Sequence, residues 1–308
     1  MSVSELYGEL RPRAFAIAYQ MLGSVSEAED VVQETFLRMH QTLERDETIA
    51  SPRAYIATLA TRISIDQLRS ARVRRESYVG EWLPEPLVTG PTPAEQAETA
   101  DSLSLAFLVL LESLSPHQRA AFLLREVFDY PYPEVAEIIG SDVDSARHLV
   151  SRARGHLRDR RPRYHASRRQ RTELAQRFFA AAEQGDLEAL EALLAQDVAL
   201  HGDGGGKVPT LGRVVSGRAD VARIFLTGMA VFARIGVRLR LTEVNGQPGA
   251  MAYDAEDRLF GVMGLGIVDG RVRTIHSVIN PDKLRHLDQV SDLGLQMKGG
   301  RRAGEHAG

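Results

Sequence analysis

The period of the apolar pattern changes once along this chain, and that change constrains the fold more than any other feature. Up to about Arg160 apolar positions recur at three- and four-residue spacing, as in Leu6, Leu10, Ala14, Ile17, Ala18 and Met21. A second stripe runs through Ala28, Val31, Val32, Thr35, Phe36, Met39 and Leu43. This is the signature of amphipathic helices. After Thr172 two more helical segments, ending near Ala182 and Leu194, give way to alternation. Val237, Leu239 and Leu241 alternate with arginines, the pattern of a half-buried strand, and Val262–Val268 and Val272–Ile279 flank Asp269-Gly270, a two-residue hairpin signal. The chain therefore divides into an all-helical part and an α+β part. Its 308 residues suit two or three domains.

Local punctuation refines this. Gly23 closes the first helix, and Ser26 with Glu29 predicts a capping box for the second. Ser51-Pro52 and Ser115-Pro116 place a cap and a first-turn proline at two further helix starts. From Glu81 to Pro93 helix is excluded by Trp82-Leu83-Pro84-Glu85-Pro86 and Pro91-Thr92-Pro93. This reads as a linker. It holds the chain's single tryptophan, and because a free linker has little use for an indole, Trp82 is expected to dock. The resulting divisions are 1–78 and 98–165 for two helical domains, 79–97 for the linker, 172–288 for the α+β domain and 289–308 for a disordered tail.

Without cysteine, disulfides, thiolate zinc sites and cysteine nucleophiles are excluded, and no metal or cofactor site is expected. The longest apolar run, Leu103 to Leu111, is too short to span a bilayer, so no membrane association is expected; no targeting segment opens the chain and a cytoplasmic setting is the default expectation. The net charge of −3 hides segregation. Ten arginines and one acid lie between Arg147 and Arg171, and five arginines and one acid between Arg62 and Arg75. A polyanion responds to such local fields and not to the molecular sum. The same runs also read as solvated helix surface.

Pro133 to Arg158 has the layout of a helix-turn-helix. Ala136 is small enough for a helix crossing, Gly140 tolerates a left-handed turn, and Ala146, Leu149 and Val150 fall on the inner face of the second helix. Asp144, Ser145, Arg147, His148, Ser151, Arg152 and Arg154 then face outward, as side chains reading a major groove would. A plain helical hairpin with a charged face fits the same residues.

Ala28-Glu29-Asp30-Val31-Val32-Gln33-Glu34-Thr35-Phe36 resembles the core-polymerase-binding helix of sigma-70 family initiation factors. Ser51-Pro52-Arg53-Ala54-Tyr55 and Ile65-Asp66-Gln67-Leu68-Arg69 resemble the promoter-reading helix that follows it. Leu114 to Arg119, Tyr132 to Gly140 and Ser151-Arg152-Ala153-Arg154 resemble the second sigma domain. Two such domains alone match the extracytoplasmic-function group. One subgroup carries a fused SnoaL-like domain, and this chain resembles it at Trp82–Pro86, at Asp203-Gly204-Gly205-Gly206-Lys207 and at Asn280-Pro281-Asp282-Lys283-Leu284. The implied fold is multidomain: two all-α sigma domains, the second with a helix-turn-helix, followed by an α+β SnoaL-like, cystatin-like cone.

The resemblance implies roles. Asp30, Gln33, Glu34 and Phe36 would dock on the clamp of core RNA polymerase. Arg62, Asp66, Arg69 and Arg72, with the Glu44–Ala50 loop, would hold the −10 element and an unstacked base. Many family members carry Asn where this chain has Arg62. Ser145, Arg147, His148, Ser151, Arg152 and Arg154 would meet promoter DNA at the −35 element. Trp82, Asp203, Gly204, Gly205, Gly206, Lys207, Asn280, Pro281, Asp282 and Lys283 would form regulatory contacts that replace a separate anti-sigma partner. His201 and Asp203 sit two apart on one strand face, with His276 on a late strand, so an acid/base pair in a pocket that takes a small ligand is the enzymatic alternative. The bland reading is a strand histidine beside a turn-starting Asp203. A helix-turn-helix regulator with a ligand-binding or enzymatic pocket domain is the alternative to an initiation factor that does no covalent chemistry.

Overall fold

The computed structural model describes residues 3–45, 48–88, 102–158 and 167–294. The chain forms two compact units, residues 1–77 with 108–161, and residues 78–107 with 162–308.

In the first unit, α1 (Val3–Leu22), α2 (Val25–Glu44) and α3 (Pro52–Glu76) pack around Leu10, Ala14, Ile17, Val31, Val32, Met39, Ile56 and Ala60, all buried. The cap of α2 is two residues earlier than the sequence predicts: Ser24 accepts from Glu27 N at 3.2 Å, and Ser26 lies inside the helix. The left-handed Gly23 (φ 66°) ends α1 and leaves Ser24 extended, the conformation a cap needs. Glu29 is instead taken by Arg11 at 2.6 and 2.8 Å. Ser51 caps α3 as expected.

The remaining helices of this unit are α4 (Leu105–Leu111, its first residues belonging to the second unit), α5 (Pro116–Glu126), α6 (Tyr132–Ile139) and α7 (Val143–Leu157). Ser115 and Gln118 form a full capping box on α5. Between α6 and α7, Gly140 adopts φ 68°, and Ala136, Ala146 and Val150 are buried as the helix-turn-helix geometry requires. The arginine-rich segment 159–166 lies outside the described residues.

The second unit has α8 (Arg168–Gln184), α9 (Leu187–Leu193) and α10 (Arg218–Arg234) against a six-stranded sheet. Its strands are β1 (Leu194–Asp203), β2 (Val215–Ser216), β3 (Arg238–Val244), β4 (Gln247–Tyr253), β5 (Leu259–Val268) and β6 (Arg271–Val278), in the order β2-β1-β6-β5-β4-β3. β1 runs parallel to β6, and the other pairs are antiparallel. Asp269 (φ 49°) and Gly270 (φ 70°) make the predicted β5–β6 hairpin. Phe178, Phe179, Val198, Leu200, Phe225, Leu265 and Ile275 form the core between helices and sheet. Leu241, expected half-buried, is 50% exposed, because β3 is the sheet edge.

The segment expected as a linker belongs to this unit. Asn245 binds it twice through Leu87, by N to O at 2.7 Å and by Oδ1 from N at 2.9 Å, and donates to Leu103 O at 2.9 Å. Residues 89–101, where the second helical domain was expected to begin, lie outside the described residues. The first residues of the expected tail, 289–294, are described and belong to this unit. Leu259 N donates to Gln289 O at 2.7 Å and Ser291 Oγ to Asp254 at 2.6 Å, so 289–291 add to the sheet, while 295–308 lie outside the described residues.

Candidate functional site

Four surfaces carry the predicted site residues. On α2, Asp30 and Gln33 are exposed and Glu34 pairs with Arg38 at 2.6 Å. Phe36 differs from expectation. It is 8% exposed and its ring lies 4.6 Å from that of Tyr7, so it belongs to the module's core. Its helical period places it with Thr35 and Met39 on the buried stripe; the exposed apolar residue beside it is Leu37, 51% exposed, which sequence reasoning passed over.

On α3, Asp66 and Arg69 are exposed and 3.5 Å apart. Arg62 and Arg72 are engaged by the other helices of the same unit. Arg62 donates through Nε to Ile138 O at 2.9 Å and through Nη2 to Glu137 O at 2.8 Å. Arg72 Nη2 donates to Leu114 O at 2.8 Å and Glu112 O at 3.3 Å. Next to them Glu112 binds Arg75, and it accepts from the fully buried Arg119 at 2.6 Å. Burial pushes the Glu112 carboxyl up, but Arg119 and Arg75 outweigh it and hold it below the usual carboxylate range. Residues 46–47 of the Glu44–Ala50 loop lie outside the described residues.

On α7, His148, Ser151 and Arg152 are exposed along one face. Ser145 donates its hydroxyl to the cap residue Asp142 at 2.7 Å, Arg147 pairs with Asp144 at 3.0 Å and Arg154 with Glu126 at 2.6 Å. The Arg147 guanidinium also lies 5.7 Å from the Tyr132 ring centre, which fixes its direction.

The fourth surface is the dock of segment 78–88 on the α+β sheet, and its centre is Asp203. This carboxylate is fully buried and accepts from Tyr78 Oη (2.5 Å), Leu83 N (2.9 Å), Gly205 N (3.0 Å) and Lys283 Nζ (2.6 Å). A buried carboxylate tolerates low dielectric only with such a complete donor set. Lys283 also donates to Leu83 O and lies 4.2 Å from the Trp82 ring centre and 4.9 Å from that of Tyr78. Trp82 is thus docked, as its chemistry suggested. Asn280 caps the 3₁₀ turn Pro281–Lys283 and donates to Tyr78 Oη at 2.7 Å. Burial and the Asp203 carboxylate push the Tyr78 phenol up, which keeps it a donor.

The glycines next to Asp203 are there for close approach. A Cβ on Gly205 would lie 2.3 Å from the Asn280 amide, and on Gly206 2.8 Å from Val79. Lys207 pairs with Asp282 at 2.5 Å. Sequence reading missed Glu81, Asn245 and His286, which complete the dock. Glu81 meets His201 Nδ1 at 2.6 Å, and His286 Nε2 lies 2.8 Å from Pro86 O. Polar residues facing an expected linker would have been the signal.

His201 and Asp203 do face one side, but that side is covered by the 78–83 segment. His276, the register partner of His201, stacks under it with ring centres 4.8 Å apart. Burial first, and His201 second, push the His276 imidazole down to about 3. The cavity of about 340 Å³ lies on the other face of the sheet, lined by Leu200, Leu211, Phe225, Met229, Phe232 and Met263 among others. Neither His201 nor Asp203 lines it. Among the described residues, no group of three or more His, Asp or Glu is placed to hold a metal, and no helix is long and apolar enough to cross a membrane.

Two helical modules with a helix-turn-helix, followed by an α+β cone that holds the intervening segment, define a sigma-type initiation factor with a fused third domain. Comparison with known proteins agrees. Sigma-70 region 2 matches residues 6–74, Sigma-70 region 4 matches 104–157, and a SnoaL-like domain matches 175–279. The ECF RNA polymerase sigma factor SigJ of Mycobacterium tuberculosis is 39% identical over 308 residues, covering 92% of this chain and 93% of the relative. The probable ECF sigma factor SigI of the same species is 31% identical, covering 87% and 90%. The crystal structure of SigJ superposes with a TM-score of 0.73 at 35% identity, covering 92% of this chain and 98% of that one. The chain belongs to the extracytoplasmic-function sigma factors, whose role is promoter-directed initiation of transcription.

Proposed function

We propose that this chain directs core RNA polymerase to its promoters and that its α+β unit governs this by holding the segment between the two DNA-binding modules. The observation that carries the reading is the set of bonds on that segment: Asp203 and Lys283 grip Tyr78 to Leu83, and Asn245 and His286 grip Pro86 and Leu87. The spacing of the two modules is then set by a folded surface and not by a free tether. On this reading Asp30, Gln33 and Glu34 meet the clamp of the polymerase, and Arg62, Asp66, Arg69 and Arg72 meet the −10 element, while His148, Ser151 and Arg152 lead the contact at −35. The apolar cavity suits a carbon-rich small ligand that would bias the dock.

Reconstituted transcription with core polymerase and a randomised promoter library tests it. Wild type is expected to select a two-element promoter. Asp203→Asn, or deletion from Thr172 onward, is expected to change output from that promoter at equal holoenzyme occupancy. Equal output from all three chains defeats the regulatory part; failure of the wild-type chain to bind core defeats the whole.

A further inference from the structure

We infer that the cavity beside α10 binds a neutral, mainly apolar molecule carrying one hydrogen-bonding group, and that its occupancy tightens the grip on Tyr78 to Leu83 through the loop 203–211. The inference deepens the regulatory reading above and rests on it. The volume of about 340 Å³ is at the small end of ligand sites, which run from about 300 to about 1,000 Å³. Among the described residues, none that lines it is charged. An ionised ligand would therefore lose its water without gaining a counter-charge. Three hydroxyl-bearing residues line the wall, Thr210, Thr227 and Ser277. Thr227 is spent on Arg223 O at 2.8 Å, which leaves Thr210 and Ser277 for a ligand's hydroxyl or carbonyl.

Gly228 is the residue of the wall that packing does not explain. It sits in the interior of α10, where glycine weakens a helix. A Cβ there would meet nothing within 4 Å, and Gly228 is not among the glycines of positive φ, so neither crowding nor backbone calls for glycine. What a side chain at this position would do is narrow the cavity. Ile224, Thr227 and Val231 continue the same side of α10 along the wall, and Ile224 is 38% exposed, an apolar lip where the cavity meets solvent.

β1 and the loop after it connect this cavity to the dock. Leu200 and Gly202 line the cavity, while the alternate residues His201 and Asp203 face the docked segment. The loop then folds back on itself, with Lys207 N and Val208 N donating to Gly204 O at 3.0 and 3.1 Å. It has no slack. A Cβ on Gly204 would lie 2.3 Å from Val208 O, and one on Gly202 2.7 Å from Thr210 Oγ1. The first half of the loop brings Gly205 N to Asp203 and Gly206 to Val79; the second half, Pro209 to Leu211, is cavity wall. A ligand resting on Thr210 and Leu211 thus holds the loop where Asp203 needs it. The wall is complete in the docked arrangement, so the ligand favours docking, and docking favours the ligand by the same factor.

Calorimetry on the full chain tests this with 1-octanol, octanoate and octylammonium, which share a chain and differ in charge. Octanol is expected to bind saturably at one site, and both ions at least about tenfold more weakly. Gly228→Leu fills the cavity from a position with room for it; it is expected to abolish octanol binding and to leave the urea midpoint of the chain at or above that of wild type. Tyr78→Phe removes the hydroxyl between Asp203 and Asn280, away from the cavity, and is expected to weaken octanol at least about threefold. The inference is overturned if octanol does not saturate, if the ions bind as tightly, or if either variant keeps the wild-type octanol affinity. The transcription assay above runs without alcohol, so its result for Asp203→Asn decides the regulatory reading separately.

Discussion

Lys283 Nζ lies 2.6 Å from Asp203 Oδ2 with both side chains buried, and the linker backbone at Leu83 supplies a further partner to each. Neither charge is well housed without the other, and neither is complete without Leu83. The docked segment is thus part of the pair's solvation. Docking and folding of the α+β unit are coupled through it.

Asp203→Asn leaves Lys283 as an uncompensated buried cation. We expect a loss of about 3 kcal/mol in the stability of the α+β unit. Trp82 is the chain's one tryptophan, so its emission reports the dock directly. A shift to longer wavelength is expected; an emission maximum unchanged from wild type sinks the prediction.

Gly206 combines φ 66° with a would-be Cβ contact of 2.8 Å to Val79. Gly206→Ala should cost about 1–3 kcal/mol through the backbone alone, with the clash added. Val79→Gly in the same chain, which removes the Cβ at 2.8 Å together with the Cγ1 at 2.9 Å, should recover the clash but not the backbone share. Denaturant titration of the single and double variants checks this, and a fully additive cycle would show that no clash exists.

His276, pushed down to about 3 by burial and by His201, binds a proton in the unfolded chain well before it does so in the fold. The unfolded state then carries more protons at every pH between the two values. Stability is therefore full above about pH 6.5 and falls on acidification by up to about 1.4 kcal/mol per pH unit from this group. His201 and its partner Glu81 lie beside this group, so its share is isolated by difference: His276→Leu should flatten the slope between pH 6.5 and 5. Parallel slopes for both chains would rule His276 out as the source.

Arg152 is exposed on α7, whereas Arg154 is paired with Glu126 at 2.6 Å. Arg152→Ala should weaken DNA binding across sequences and lower the salt slope by about one. Arg154→Ala should do so less, because its guanidinium is already engaged by Glu126. Binding isotherms at several salt concentrations decide; an unaltered slope for Arg152→Ala takes it off the phosphate.

Much of this architecture is legible in the sequence because local rules and tertiary outcome agree there. The stripe through Val31, Val32 and Met39 becomes the core of the first module, and Gly140 becomes the left-handed turn. Asp269-Gly270 becomes a hairpin. Where the two disagree, the cause is tertiary. Ser26 and Glu29 fit a capping box, but Gly23 hands the cap to Ser24 and Arg11 claims Glu29. Asn245-Gly246 at φ 52° and 70° is an equally good hairpin turn with an equally local signal, and what the sequence does not show is that Asn245 serves the linker as well. Arg62 and Arg72 look like free cations in sequence. Their acceptors are main-chain oxygens about forty and seventy-five residues away, which no side-chain pattern encodes.

Residues 78–88 are bound throughout by β1, Asn245 and the 280–286 stretch, and so are inherited with the carboxyl-terminal fold although they precede the helix-turn-helix. Grafting this regulator onto a foreign initiation factor therefore needs two transplanted pieces, not one. A chimera joined only near Thr172 pairs a dock with a stranger's strand, while exchanging both pieces together moves a complete lock and key.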